Sequence, residues 1–298
     1  MIFYLLWNAF HNLSFSQAKA KEENPMIKHL FFDLDGTLLN QRGHLNPITV
    51  DAVRESGRAA SLVSARAPME MLPIVRALGL TGPQIAFNGG LVFKPMAKGI
   101  EVLDKTPLAG ITARTIIAAV MMYFPTISIS YYDRENWYTP RMDETVKQQR
   151  ALNSQTPVVV SPAQSFADPS FKPYKIMLTV KDSFLLTPLK RMLIGLHLPD
   201  IAVQQSGAAY GADFIEITQQ TAKKSRGISY VLNELHLNAD EVAGFGDGFN
   251  DLPMLKMVGL PIVMDNAKPI IKSVATYVTK SNADDGVAYA LANYPAFG

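Results

Sequence analysis

The chain of 298 residues has no cysteine, which excludes disulfide bonds, thiolate metal sites and cysteine nucleophiles. It has no excess of charge of one sign either, because 28 basic and 26 acidic residues leave a net charge of +2, and nothing therefore indicates a surface for nucleic acid. No apolar run reaches the roughly 18 residues of a membrane-spanning helix, and no internal repeat or low-complexity tract is present. These absences favour a soluble, cytoplasmic, globular protein and leave its oligomeric state open.

The first 25 residues differ from the rest of the chain. Residues 1–15 are apolar and residues 16–23 are polar, but no basic residue precedes the apolar stretch as it would in a signal peptide. We expect a leader or disordered tail, with the domain starting near Met26; a membrane-associated or secreted leader is the alternative. A chain that starts at Met26 is expected to keep its melting temperature and its activity, and loss of soluble folded protein would contradict this.

What is present after the leader is an alternation of strands and helices. Short apolar runs that end in turn residues predict strands, and apolar residues at helical spacing predict helices. The predicted strands are 27–32, 60–63, 84–87, 242–245, 260–264 and 275–278. The predicted helices are 48–57, 68–79, 228–237, 250–258 and 287–293. This spacing predicts an α/β fold with a doubly wound, parallel, Rossmann-like sheet.

The middle of the chain, residues 92–218, has a different pattern. It is rich in tyrosine and threonine and contains alternating runs at 175–180 and 214–218, which indicate an inserted α+β domain with its own core. The expected organisation is therefore a leader (1–25), a catalytic core (26–91 and 219–298) and the insertion. Several aromatic and basic residues of the insertion are candidates for ligand contacts or, equally, for its core or surface. They are Tyr131, Tyr132, Trp137, Tyr138 and Arg141.

Polar residues follow the predicted strands. They are Asp33, Asp35, Ser64, Asn88 and Asp247, with Asn250 and Asp251 just beyond. Because the carboxyl ends of parallel strands meet at one edge, these carboxylates would lie together and repel one another. A hard cation relieves that repulsion, and ligands that offer only oxygen favour Mg²⁺.

Each of these features has a simpler explanation when taken alone. Asp33 and Asp35 could form a turn that ends a strand, Ser64 and either Asn250 or Asp251 could cap helices, and the run 223–226 could be a solvated cluster of charge. Independent turns would rarely all fall at the same edge of one sheet. The joint pattern therefore favours a functional site.

Two segments carry a resemblance to a known family. FDLDGTLL (32–39) and GDGFNDLPML (246–255) closely resemble the haloacid dehalogenase superfamily, and within it the Cof-type phosphatases with a type IIB cap, over about residues 27–298. QIAFNGG (84–90), Lys224 and the segments 264–267 and 284–288 are further matches. The chain departs from the family pattern at Ala65 and at Ser225, the residue after Lys224; glycine is usual at both positions.

The resemblance implies a role for each of these residues. Asp33 would be the nucleophile that forms an aspartyl-phosphate, and Asp35 the general acid for the leaving alcohol and then the base for water. Mg²⁺ would be held by Asp33, Asp35 (through its carbonyl) and Asp247, with Asp251 among the metal ligands. Lys224 would neutralise charge across the site. The implied phosphate-binding residues are Leu34, Ser64, Ala65, Lys224 and Asn250.

The function implied is a Mg²⁺-dependent phosphatase of small phosphorylated metabolites, with sugar phosphates favoured. The inserted domain would be the cap that closes over the site and selects the substrate. A phosphomutase or phosphotransferase of the same superfamily is an alternative, as is a non-catalytic regulator that binds phosphosugars. A dehalogenase is disfavoured, because Asp35 supplies an acid and base that phosphate-ester chemistry uses.

Overall fold

The structure is a computed structural model that describes residues 26–152, 155–209 and 211–298. The predicted leader, residues 1–25, lies outside the described residues. In the described part of the chain, no helix is both long enough and apolar enough to cross a membrane.

Strands and helices alternate over residues 29–86 and 224–293, and a more mixed set of elements lies between these ranges. The strands are β1 (His29–Phe32), β2 (Ala59–Leu62), β3 (Gln84–Ala86), β4 (Leu91–Pro95), β5 (Ile100–Lys105), β6 (Ser128–Tyr132), β7 (Trp137–Thr139), β8 (Val158–Val159), β9 (Lys175–Val180), β10 (Ile201–Ala209), β11 (Ala212–Gln219), β12 (Val242–Gly246), β13 (Leu260–Val263) and β14 (Tyr277–Val278). The α-helices are α1 (Pro47–Glu55), α2 (Pro68–Leu78), α3 (Gly110–Tyr123), α4 (Glu144–Leu152), α5 (Pro162–Ser165), α6 (Leu186–Gly195), α7 (Lys224–Glu234), α8 (Leu252–Leu255), α9 (Pro269–Lys272) and α10 (Gly286–Asn293).

The central sheet is parallel and has the order β14-β13-β12-β1-β2. β3 continues it through a parallel bridge between Val63 and Ile85. Counted along the core, this order is 3-2-1-4-5-6, and the direction of winding changes between β1 and β12. Ligands of open α/β sheets bind outside the carboxyl ends of the strands at that point. The prediction of an α/β, doubly wound, Rossmann-like sheet is confirmed.

Two predicted elements differ from the observed ones near the second acidic motif. The predicted helix 250–258 is a 3₁₀ turn, Phe249–Asp251, followed by the single turn of α8. In this turn the backbone N–H groups of Asp247 and Gly248 donate to the Asp251 carboxylate. A regular helix over 250–258 would have no need of these two contacts. α7 begins at Lys224, four residues before the predicted start at 228, and the side chain of Lys224 is buried.

The inserted segment forms a second sheet with the order β10-β11-β9-β6-β7-β8. Alternate residues of β9 (Ile176, Leu178 and Val180) belong to a buried apolar cluster shared with α3 and α6. Because successive side chains of a strand point to opposite faces, Lys175 and Met177 lie on the other face. That face is turned toward the carboxyl ends of the central sheet, where both residues line a cavity.

The aromatic residues of the insertion divide between its core and the cavity. Tyr131 is fully buried and Trp137 is 2% exposed, so both belong to apolar packing rather than to a ligand surface. Tyr132 lines the cavity. Burial raises the pKa of Tyr138, and its hydroxyl donates to Asp133 at 2.7 Å. Arg141 donates to the carbonyl oxygen of Ile127 at 3.0 Å.

Apart from Leu91, the hairpin β4–β5 lies inside the predicted limits of the insertion, but it packs with the central sheet. Leu91 and Phe93 of β4 belong to the same buried cluster as residues of β1 and β12, and Val102 of β5 packs against it. This packing favours a start of the inserted domain after β5. The limits 92 and 218 remain a prediction.

His29 lies on the central strand β1 and is 1% exposed. Its Nε2 atom is 2.9 Å from the hydroxyl of Ser61, and that hydroxyl donates to the carbonyl oxygen of Pro83 at 2.6 Å. Nε2 therefore carries a hydrogen, while Nδ1 is buried without a hydrogen-bond partner among the described residues, which disfavours a second hydrogen and a charge on the ring. Burial lowers the pKa of His29 from 6.5 to about 4.

We expect the free energy of unfolding to fall as the pH drops from 6.5 toward 4, because the unfolded chain then binds a proton at His29 that the folded chain excludes. At pH 5 the cost is about 2 kcal/mol. The variant His29→Gln should lose this part of the pH dependence, as measured by urea unfolding at pH 5 and pH 7. The exposed His44→Gln is the matched control. An unchanged slope in His29→Gln would contradict the assignment.

Candidate active site

Three carboxylates lie at the carboxyl ends of β1 and β12. Asp33 follows β1, and its backbone N–H donates to the carbonyl oxygen of Phe245 in β12 at 3.0 Å. Asp247 follows β12, and Asp251 ends the 3₁₀ turn behind it. One oxygen of each of the three carboxylates lies within 4.8 Å of the other two. The fold thus brings both predicted acidic motifs together at the switch point of the sheet.

A buried lysine offsets part of this negative charge. The Nζ atom of Lys224 donates to Asp33 and, at 2.6 Å, to Oδ1 of Asp251, and its side chain is inaccessible to solvent. Burial alone lowers the pKa of Lys224, but the charges of Asp251 and Asp33 outweigh burial and raise it, so the ammonium stays charged. The run 223–226 is therefore not a solvated cluster of charge at this position.

One ammonium does not balance three carboxylates. Burial, followed by the charge of Asp251, raises the pKa of Asp33 well above its usual value, although Lys224 acts in the opposite direction. Burial and Asp251 also raise the pKa of Asp247 to about 6. A divalent cation would relieve this repulsion, and the set of carboxylate oxygens has the chemistry that Mg²⁺ prefers.

The carboxylate of Asp247 is oriented by two side chains. Oδ1 accepts from the hydroxyl of Thr37 at 3.1 Å, and Oδ2 accepts from Nδ2 of Asn266 at 3.1 Å. Gly36 has φ of +84°, and a Cβ atom at this residue would collide with the Asp247 carboxylate. Thr37 and Asn266 lie in matched segments, but sequence reasoning assigned them no role because their partner is distant in the chain.

Two of the predicted site residues lie behind the surface of the site. Asp251 is fully buried; Oδ1 accepts from Lys224, and Oδ2 accepts from the N–H groups of Asp247 at 2.9 Å and Gly248 at 2.8 Å. These contacts favour a role in holding Lys224 and the turn, while the role of Asp251 as a metal ligand remains a prediction. The side chain of Leu34 is buried in the apolar core, so only its backbone is available to a phosphate.

Asp35 lies at the mouth of the site and is held by an arginine. Nε and Nη2 of Arg66 donate to the two carboxylate oxygens of Asp35 at 2.9 and 2.6 Å. Such a bidentate pair fixes the orientation of a carboxylate as well as its position. Both residues line the same cavity as Asp33. Sequence reasoning assigned no role to Arg66, although it directly follows the predicted phosphate-binding residues Ser64 and Ala65.

The predicted phosphate-binding residues Ser64 and Ala65 lie in a loop that packs against the end of β3. The hydroxyl oxygen of Ser64 accepts from the N–H of Arg66 at 3.1 Å, and the Ser64 carbonyl oxygen accepts from the N–H of Asn88 at 2.8 Å. Asn250 donates to the side chain of Asn88 at 3.3 Å. Ala65 is not among the described residues with positive φ, so its Cβ causes no backbone strain where glycine is usual.

A cavity of about 890 Å³ separates these residues from the inserted domain. Its floor is formed by acidic, amide and loop residues of the core, and its roof by residues of the second sheet and of helix α4. The core residues are Asp33, Asp35, Ser64, Ala65, Arg66, Glu70, Asn88, Asp247, Gly248, Phe249 and Asn250. The roof residues are Tyr132, Gln149, Lys175, Met177, Gln204, Gln205, Phe214 and Glu216. Most of the roof was missed from sequence, although the period-two alternation of β9 and β11 could have indicated it.

We expect the variant Lys224→Met to lose about 3–5 kcal/mol of the free energy of unfolding, because Asp33 and Asp251 would then be buried without a counter-charge. Urea unfolding in metal-free buffer measures this cost. Lys223→Met, at the exposed neighbouring residue, is the control and should be close to wild type. A loss below about 1 kcal/mol would show that the buried pair carries little of the stability.

The fold and the site together define an α/β enzyme whose acidic site lies under an inserted cap. A profile of the family described as haloacid dehalogenase-like hydrolase matches residues 30–291. A Haemophilus influenzae protein, provisionally named a phosphatase, is 27% identical over 270 residues, which cover 89% of this chain and 97% of the relative. A haloacid dehalogenase-like hydrolase from Bacteroides thetaiotaomicron has a similar structure, with a TM-score of 0.79 and 26% identity over 89% of this chain and 98% of that one.

The subclass IIB sugar phosphatase BT4131 shares the fold, with a TM-score of 0.73 and 22% identity over 90% of this chain and 99% of that one. The chain belongs to the haloacid dehalogenase-like hydrolases. Within them it is a Cof-type protein, and its chemistry is the hydrolysis of phosphate monoesters. The resemblance read from the two acidic motifs is confirmed at the level of the family, the fold and the class of enzyme.

Proposed function

We propose that this chain is a Mg²⁺-dependent phosphatase of small phosphorylated metabolites that works through an aspartyl-phosphate on Asp33. The observation that carries the proposal is the position of Asp33, which lines the cavity at the switch point while Lys224 binds its Oδ1 atom. In the described residues, no hydrogen-bond donor contacts Oδ2 of Asp33. That oxygen is available to attack phosphorus.

In the first step, Oδ2 of Asp33 forms a bond to phosphorus and the bond from phosphorus to the alcohol oxygen breaks. Asp35, which lines the same cavity, gives its proton to the departing oxygen. Lys224 stays charged and balances negative charge on Asp33 and on the phosphoryl group. Ser64 and the amides of its loop hold the phosphoryl oxygens.

In the second step, the Asp35 carboxylate takes a proton from water as the water oxygen forms a bond to phosphorus. The bond from phosphorus to Asp33 breaks, which releases inorganic phosphate and restores both aspartates. Arg66 donates to both carboxylate oxygens of Asp35, which suits the ionised form that acts as the base in this step; release of one oxygen from Arg66 would let Asp35 carry the proton that it gives in the first step.

The residues that would hold Mg²⁺ are Asp33, Asp247 and the carbonyl of Asp35, with Asp251 behind them. When bound, the ion would supply charge stabilisation to the phosphoryl oxygens. Thr37 and Asn266 support this assignment, because they hold the Asp247 carboxylate toward Asp33 without adding charge.

The cavity favours sugar phosphates among the small phosphorylated metabolites. Its roof carries Gln204 and Gln149, and Oε1 of Gln149 is buried without a hydrogen-bond partner in the described residues; amide groups of this kind donate to and accept from hydroxyl groups. Tyr132 and Phe214 add aromatic surface that suits the apolar face of a sugar ring. A volume of about 890 Å³ accommodates a molecule of that size.

The test is a panel of phosphorylated metabolites, together with p-nitrophenyl phosphate, assayed for phosphate release with Mg²⁺ and with chelator. We expect Mg²⁺-dependent hydrolysis with a preference for sugar phosphates. Product analysis with an added acceptor alcohol separates hydrolysis from phosphotransfer. Absence of turnover on the whole panel, or full activity in chelator, would refute the proposal.

A further inference from the structure

One lysine of the cap reaches the phosphate-binding loop of the core. Lys175, the first residue of β9, is 5% exposed, and its Nζ atom donates to the carbonyl oxygen of Ala65 at 2.9 Å. The ammonium also lies 5.0 Å from the ring centroid of Tyr132. The Ala65 carbonyl is thus a direct hydrogen-bond partner of this buried cation.

The peptide group that Lys175 contacts has a second partner. The carbonyl of Ala65 and the N–H of Arg66 belong to the same planar peptide unit, and this N–H donates to the hydroxyl oxygen of Ser64 at 3.1 Å. The orientation of the plane is thus fixed at its oxygen by Lys175 and at its nitrogen by Ser64. An ammonium on the carbonyl also polarises the unit and strengthens the bond that the N–H donates.

The hydroxyl of Ser64 is directed by this arrangement. Because its oxygen accepts from Arg66, its own hydrogen is available to a group in the cavity that Ser64 lines. Tyr174, the neighbour of Lys175, stacks on Phe87 with ring centroids 5.2 Å apart, and Phe87 precedes Asn88, whose N–H binds the Ser64 carbonyl. Two adjacent cap residues therefore contact the two loops that surround Ser64.

We propose that Lys175 is a positioning residue contributed by the cap, which sets the Ala65–Arg66 peptide and through it directs the Ser64 hydroxyl toward a phosphoryl oxygen. Phosphate binding in the core then depends on a cap contact that is common to all substrates. The inference rests on the proposed function for the identity of the ligand as a phosphoryl group.

The experiment is a double-mutant cycle with Lys175→Met and Ser64→Ala, measured as the dissociation constant of inorganic phosphate with Mg²⁺ by titration calorimetry. Lys175→Met alone is expected to weaken binding about 10- to 100-fold, as for loss of a hydrogen bond from a charged group. In the Ser64→Ala background the same change should weaken it less than about threefold, because the two residues act through one peptide.

Turnover of p-nitrophenyl phosphate and of a sugar phosphate is measured on the same variants. A positioning role predicts an equal loss of kcat/KM for both esters, since the phosphoryl group is what they share. Lys175→Arg, which retains a charged donor, should recover most of the loss. Lys181→Met, at an exposed lysine directly after β9, is the control and should match wild type. If Lys175→Met lowers the melting temperature strongly, Lys175→Gln replaces it in the cycle.

Additive losses in the cycle would overturn the inference, as would a loss confined to the sugar phosphate, which would make Lys175 a contact of the leaving group. Failure of wild type to bind phosphate would also overturn it. If the cycle shows coupling in phosphate binding but the wild type turns over no ester, the proposed function is refuted and the inference stands. Turnover without coupling would refute the inference alone.

Discussion

Replacing Asp33 by asparagine is expected to abolish turnover of every phosphate ester and to leave no trappable phosphoenzyme. The amide is nearly the same size as the carboxylate, so the packing around it is retained, and Lys224 keeps its bond to Asp251. What is lost is the oxygen nucleophile itself, because an amide oxygen does not form the acyl phosphate. The folded state should persist, with a melting temperature close to that of wild type.

Asp35→Asn should retain the nucleophile but lose the acid and base, so its effect should depend on the ester. General acid and base catalysis is worth about 10²–10⁴-fold, and an alkyl phosphate needs its leaving oxygen protonated whereas nitrophenolate leaves without help. With p-nitrophenyl phosphate the variant should therefore phosphorylate Asp33 and then hydrolyse the intermediate slowly, giving a burst followed by a slow phase. With a sugar phosphate both steps should be slow.

Rapid-quench trapping of the phosphoenzyme, for both variants on both esters, is the measurement. Asp51→Asn, at an exposed aspartate of α1 outside the cavity, is the matched control. An aspartyl-phosphate in Asp33→Asn, or equal impairment of phosphorylation by the two esters in Asp35→Asn, would show that the roles are assigned wrongly.

Asp247→Ala is expected to lower activity by about 10³-fold or more and to raise the Mg²⁺ concentration needed, because an ion that supplies several kcal/mol of charge stabilisation loses an anchor. The metal-free variant should nevertheless be at least as stable as metal-free wild type at neutral pH. The pKa of Asp247, raised to about 6 by burial and by Asp251, means that its ionised form opposes folding, and the substitution removes that charge.

Two readouts separate these effects. Thermal unfolding in chelator compares the metal-free proteins, and thermal unfolding in increasing Mg²⁺ measures binding without reference to activity, since a ligand of the folded state raises its stability. Wild type should be stabilised by Mg²⁺ and Asp247→Ala much less. Asp240→Ala, an exposed aspartate at the opposite end of β12, is the control. An equal Mg²⁺ response in the variant would exclude Asp247 as a ligand.

The parallel core could be predicted from local pattern because each of its strands is an apolar run followed by a turn. The runs that became β1, β2, β3, β12 and β13 are nearly continuous apolar segments, as strands buried on both faces require. The helix predicted at 250–258 was wrong in form. Its apolar periodicity was real, but Asp251 uses its carboxylate to bind two backbone N–H groups of the preceding turn, which holds the chain in a 3₁₀ turn.

The candidate site could be predicted to the extent that its residues stand in short motifs. Asp33, Asp35 and Asp247 lie where the pattern placed them, at the edge of the sheet. The partners of these residues were missed, because Thr37, Arg66 and Asn266 act only through contacts with residues that are distant in the chain. The roof of the cavity was missed for the same reason, since most of its residues come from a separate sheet.

By itself, the sequence determined the family, the alternation of strands and helices, and the residue types available for chemistry at the strand ends, since these depend on residues close together along the chain. Only the tertiary structure decided how charge is balanced, with Lys224 buried between Asp33 and Asp251, and where the cap meets the core, with Lys175 on the Ala65 carbonyl. The physical reason is that burial and electrostatic interaction depend on distance in space, and folding sets those distances between segments that lie far apart in the sequence.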